Sequence, residues 1–124
     1  MSKILLSIKP KYVERILEGT KKVEYRRVIP KCKDITHIII YASAPICRVV
    51  AEVSISNILS DRPSILWEKT FEVGGISNDE YCSYFINREI AHAFIIGDIK
   101  IFTPYRKLID YGIKIPPQNF VYIK

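Results

Sequence analysis

The stretch Gly19-Thr20-Lys21-Lys22-Val23-Glu24-Tyr25-Arg26 decides how this chain folds, because the backbone passes from helix to strand within it. Gly19 follows an amphipathic run and can take the left-handed conformation that closes a helix without a side-chain clash. Val23 and Tyr25 then alternate with Lys22, Glu24 and Arg26, the period-two pattern of a strand with one apolar and one charged face. Lys21, Glu24 and Arg26 place charges of mixed sign at this corner, an arrangement able to present a fixed cation and a fixed carboxylate to a ligand. Strict alternation would put Lys21 and Glu24 on opposite faces. A cleft shared by both therefore requires the strand to begin after Lys21 or to bulge there.

Working outward, Pro10 stands at the first helical position, where its missing N–H costs nothing. Tyr12, Val13, Ile16 and Leu17 form an apolar stripe opposite Lys11, Glu14, Arg15 and Glu18. Ahead of this helix, residues 3–9 alternate loosely around Ile4, Leu6 and Ile8 and suit a first strand. Behind the corner, residues 29–34 read as a loop and residues 37–43, rich in β-branched side chains, as a buried strand. Ala44-Pro45 turns the chain, and residues 49–58 alternate cleanly around Val53 and Ile55.

Residues 60–84 read as two helices. Pro63 starts the first, which carries Ile65, Leu66 and Trp67, and Gly74-Gly75 breaks it. Ser77 and Glu80 make a capping box for the second, which carries Tyr81, Tyr84 and Phe85. Residues 89–102 are β-patterned, Thr103-Pro104 and Tyr111-Gly112 punctuate the C-terminal segment, and residues 120–123 close the chain as a short strand. The expectation is one α+β domain over residues 1–124. Its five to six strands and two to three short helices would form a compact, mostly antiparallel barrel.

Composition narrows the function. Lys and Arg number 19 against 13 Asp and Glu, a net charge of +6 that suits polyanionic partners such as RNA or DNA and equally a merely solvated basic surface. Cys32, Cys47 and Cys82 are odd in number and lack C-x-x-C spacing, which argues against a disulfide framework and for the reducing cytoplasm. Met1-Ser2-Lys3 leads straight into Ile4-Leu5-Leu6, too short an apolar run for a secretion signal, and no stretch is long enough to span a bilayer. His37 and His92 are the sole imidazoles, and Cys32 near His37 has no second ligand pair. Neither a metal nor another cofactor is expected.

The G-x-K-x-x-E-x-R spacing of Gly19, Lys21, Glu24 and Arg26 resembles the signature of ASCH domains, small β-barrels of the PUA-like superfamily. Four further segments agree with small stand-alone members from bacteria, archaea and phages: SIKPKY from Ser7, YASAP from Tyr41, GGISNDEY from Gly74 and PPQNFVY from Pro116. The resemblance implies a pseudo-barrel with a cleft at the helix-to-strand corner. It also implies binding of RNA or modified nucleobases, in RNA metabolism or transcription control. One small ASCH enzyme removes the acetyl group of acetylated cytidine with a lysine, a threonine three residues later and a distant glutamate. Lys21 matches that lysine, but Glu24 stands where the threonine would be.

On this basis Lys21 and Arg26 would hold phosphate, and Glu24 would accept from an exocyclic amine of a base. Lys9 precedes the first helix and so lies near an anion-attracting N-terminus. Tyr41 offers an aromatic wall, Ser43 a hydroxyl and Gln118 an amide for a base edge, while Phe120 and Tyr122 could stack a base. The expected ligand is RNA or a nucleotide or nucleoside. One alternative is a hydrolase of a modified nucleoside with Lys21 and Glu24 as its catalytic pair. Another is a protein-interaction adaptor that uses the aromatic helices of residues 60–85.

Overall fold

These patterns become six strands and three α-helices in the computed structural model, which describes residues 2–32 and 34–123. The strands are β1 (Ser2–Ile8), β2 (Val23–Arg26), β3 (Ile35–Ala42), β4 (Arg48–Asp61), β5 (Ala91–Arg106) and β6 (Val121–Ile123). The helices are α1 (Pro10–Glu18), α2 (Pro63–Thr70) and α3 (Asn78–Tyr84), with short 3-10 turns at Phe71–Val73 and Leu108–Tyr111. All six strands join one mixed sheet in the order β2-β5-β4-β3-β1-β6. The α+β architecture agrees with the sequence pattern, and the sheet stays open, with β2 and the three-residue β6 as its edges. The pairing of β1 with β3 is parallel, and the other pairings are antiparallel.

β1 lies between β3 and β6 and is covered on both faces, which is why Ile4-Leu5-Leu6 runs apolar without alternation. Ile4, Leu6 and Ile8 pack with Val13 and Ile16 of α1 and with Ile38, Ile40 and Phe94. Leu5 faces the other way, onto Ile39, Tyr41, Val49 and Phe102. Each such fully buried aliphatic side chain contributes roughly 2 kcal/mol of transfer free energy. A third cluster joins Val23 and Tyr25 of β2 to Leu66, Tyr81 and Phe85 under α2 and α3.

That third cluster is rich in aromatic side chains. Tyr81 stacks edge-on to Tyr25 at 4.9 Å and lies 4.6 Å from the Trp67 ring. These aromatic side chains thus hold α2 and α3 onto the sheet, which leaves less of them for the alternative in which they dock a partner. β5 also runs farther than its pattern suggested, through Thr103-Pro104 to Arg106. Pro104 is tolerated because Val49 pairs with Arg106 and Ala51 with Ile101, an irregular register that leaves residues 102–105 outside the regular ladder. β3 begins at Ile35, ahead of His37. The loop expected over residues 29–34 carries no regular structure on either side of Lys33, which lies outside the described residues, as do Met1 and Lys124.

Candidate functional site

Gly19 ends α1 at φ +89°, and the backbone N–H groups of Thr20 and Lys21 fold back onto the Arg15 carbonyl at 3.1 and 3.0 Å. β2 therefore begins at Val23, after Lys21, which is the condition a shared cleft required. Within β2, Val23 and Tyr25 face the apolar cluster while Glu24 and Arg26 share the opposite face.

Lys21 is 2% exposed. Its Nζ donates to the carbonyl oxygen of Gly74 at 2.6 Å and lies 5.1 Å from the centres of both the Tyr12 and Tyr25 rings. Loss of hydration pushes its pKa below the usual lysine value, against the raising influence of the Glu24 carboxylate. The glycine pair breaks the helix, as the sequence indicates, and also closes over this lysine. A Cβ on Gly75, which has φ +62°, would fall 2.5 Å from Lys21 Cβ, and one on Gly74 would fall 2.6 Å from the Tyr25 hydroxyl. That hydroxyl meets Thr70 Oγ1 at 2.6 Å; because Thr70 donates its own proton to the Leu66 carbonyl, the phenol is the donor.

Glu24 and Arg26 form a nearly buried pair, with side chains 8% and 11% exposed. Arg26 Nε donates to Glu24 Oε2 at 3.0 Å, and Nη2 donates to the Ser7 carbonyl at 2.9 Å, which ties the guanidinium to the end of β1. Glu24 Oε1 and Arg26 Nη1 have no protein hydrogen-bond partner among the described residues.

Tyr12 and Glu80 complete the floor, and the sequence pattern hid both. Tyr12 sits in the apolar stripe of α1, yet its phenol donates to Glu80 Oε2 at 2.5 Å, and Lys11 Nζ reaches the same oxygen at 2.6 Å. Ser77 does cap α3, accepting from the Glu80 backbone N–H at 3.1 Å. The reciprocal bond to the Ser77 backbone N–H is absent: Glu80 Oε1 accepts from the Ser77 hydroxyl at 3.2 Å, while Oε2 turns to α1. Hydrogen bonds from Lys11 and Tyr12 hold the Glu80 carboxyl down to about 2, and burial followed by the Glu80 contact raises the Tyr12 phenol.

These groups line a cleft of about 660 Å³ between the β1–α1 corner, β2 and α3. Of the residues singled out in the sequence, Lys9, Lys21, Glu24, Arg26 and Gln118 line it, and Arg27, Tyr84 and Asn119 join them. Tyr41, Ser43 and Phe120 do not. Tyr41 has the same strand parity as Ile39 and so faces the core on the opposite side of the sheet, 5% exposed. Ser43 bonds through its backbone N–H to the Ile8 carbonyl at 3.0 Å. Phe120 packs against the α1 core and meets Tyr122 edge-to-face at 5.4 Å, so this pair offers no base platform in the cleft. Among the described residues, no group of three His, Cys, Asp or Glu side chains is placed to hold a metal ion.

Residues 6–100 match the ASCH domain model. The chain belongs to the ASCH domain family. It is 28% identical over 124 residues to the ASCH domain-containing ribonuclease of Zymomonas mobilis, covering 97% of this chain and 83% of that protein. The crystal structure of ASCH from Zymomonas mobilis superposes with a TM-score of 0.89 at 26% identity, covering 98% of this chain and 87% of that one. A mutant ZmASCH structure gives 0.90 at 25% identity, with 100% and 91% covered. Two Ureaplasma parvum proteins also match at 25% identity over 98% of this chain, which spans only 15% of the ATP synthase subunit alpha and 39% of the large ribosomal subunit protein uL22. In this ASCH domain the signature residues Lys21, Glu24 and Arg26 all border one hollow, while Gly19 supplies the turn that brings them there.

Proposed function

We propose that this ASCH domain binds RNA, or a nucleobase-containing ligand, in the cleft at the helix-to-strand corner, within RNA metabolism or transcription control. The observation that carries the proposal is the convergence of Lys21, Glu24 and Arg26 on one concavity. Its volume lies within the range of sites that enclose a single small ligand, which suits one nucleotide. Arg26 holds phosphate through its free Nη1, with the Lys21 charge fixed beneath it and Lys9 at the mouth. Glu24 Oε1 accepts from an exocyclic amine. The net charge of +6 and a relative named as a ribonuclease support the same ligand class. The free, exposed cysteines support a reducing, cytoplasmic setting.

The test is fluorescence anisotropy with a labelled single-stranded RNA 12-mer between 50 and 200 mM salt. Lys9 is exposed and makes no side-chain cap, so Lys9→Ala leaves the fold intact. Loss of one phosphate contact should flatten the log–log salt dependence by about 0.7. Failure of the parent protein to bind RNA at the lowest salt would overturn the proposal.

One observation favours a hydrolytic second reading: the Lys21 ammonium is desolvated and surrendered more readily than an ordinary lysine proton. Cleavage of the RNA backbone needs a base at the 2′-hydroxyl and an acid at the departing 5′-oxygen, and Glu24 and Lys21 are the pair available. Deacylation of acetylated cytidine would call on the same two groups. Shortened RNA on a denaturing gel or acetate release from acetylated cytidine, each lost in Glu24→Gln, would make this reading the correct one.

A further inference from the structure

The outer wall of the cleft carries a stacked pair to which neither reading assigns a role. Arg27 Cζ lies 4.6 Å from the centre of the Tyr84 ring, and the Arg27 backbone N–H donates to the Tyr84 hydroxyl at 3.3 Å. Phe85, itself 3% exposed, steadies Tyr84 edge-to-face at 4.8 Å. Arg27 is exposed, and no carboxylate pairs with it among the described residues. A surface arginine without an ion pair that instead lies over a ring keeps a second planar face for another aromatic group.

We propose that Arg27 and Tyr84 form the platform on which one unpaired base stacks, so that the ligand class of this cleft is single-stranded rather than duplex RNA. This rests on the RNA reading of the same cleft. In a duplex both faces of each base are occupied by neighbours, whereas an unstacked base can lie on a guanidinium plane. The exposed amides of Gln118 and Asn119 share the lining and suit the edge of such a base. Phe120 and Tyr122 pack against each other outside the cleft, so the platform is Arg27 on Tyr84.

The test uses a single-stranded RNA 12-mer with 2-aminopurine at its centre, the same strand annealed to its complement, and the Arg27→Lys variant. Lysine keeps the charge and removes the plane. The expected result is single-strand binding about tenfold tighter than duplex binding, with 2-aminopurine fluorescence quenched in the complex. Arg27→Lys should weaken binding roughly tenfold and lose the quench, with an unchanged salt slope. Equal affinity of parent and Arg27→Lys, or of single strand and duplex, would reduce Arg27 to a phosphate charge and overturn the platform while RNA binding stood. No binding of either RNA by the parent protein at low salt would remove both proposals together.

Discussion

Lys21 donates through Nζ to the carbonyl oxygen of Gly74 at 2.6 Å, joining positions 53 residues apart. The bond fixes the floor of the cleft to the segment between α2 and α3, and the neighbouring glycine covers the carbon stem of the same lysine.

Gly75→Ala should therefore destabilise the protein strongly. The substitution forces an L-residue to φ +62° and sets a methyl group 2.5 Å from Lys21 Cβ. Together these cost roughly 2–4 kcal/mol, or about a 10 °C fall in Tm for a domain of this size. A thermal melt by circular dichroism measures it, and an unchanged Tm would show that the lysine stem can move aside.

Lys21→Met tests the desolvated charge. Lys21 titrates below its unfolded value of 10.5 in the native protein, so between the two values the unfolded chain binds the extra proton and stability rises with pH. Its contribution is fully present above 10.5 and lost as pH falls through the lowered value. Urea denaturation of the parent and of Lys21→Met at pH 7 and 9.5 should show the parent gaining on the variant at the higher pH. A constant difference would mean that the ammonium is hydrated as usual.

Glu80 acts on the acid side. Its carboxyl is held at about 2 against an ordinary 4.5, so the stability it confers is complete above 4.5 and disappears as pH falls through 2. Glu80→Gln should be less stable than the parent at pH 7 but lose less on acidification from pH 5 to pH 2. Parallel pH–Tm curves for the two proteins would exclude the clamp between α3 and α1.

The Glu24–Arg26 pair invites a double-mutant cycle. Arg26→Met strands a carboxylate whose side chain is 8% exposed, at a cost of about 3 kcal/mol. Replacing both residues should recover at least roughly 1 kcal/mol of the summed single losses. Additive losses by chemical denaturation would show that the two groups act independently.

The corner itself was legible from Gly19 onward, because a left-handed cap and a period-two strand are local events with local residue requirements. So were the strands whose faces differ in polarity. Tyr12 and Glu80 were not, since each already satisfied a local rule, a helix stripe and a helix cap, and their meeting at 2.5 Å is a tertiary fact. Tyr41 was misassigned because Ile38 through Ala42 are all buried, so the run does not say which of the two cores each residue faces. The bent course of β5 past Pro104 depends on a register with β4 that no window of β5 alone contains.

The strand bearing Glu24 and Arg26 hydrogen-bonds to one neighbour, through pairings of residues 23–26 with residues 92–95. During synthesis the charged octet thus leaves the ribosome long before the strand that it pairs with. A nonsense or frameshift product that stops short of β5 would still carry the octet yet lack the strand that holds it in the sheet. Counting genomic copies by the octet alone would then overstate how many can fold this corner.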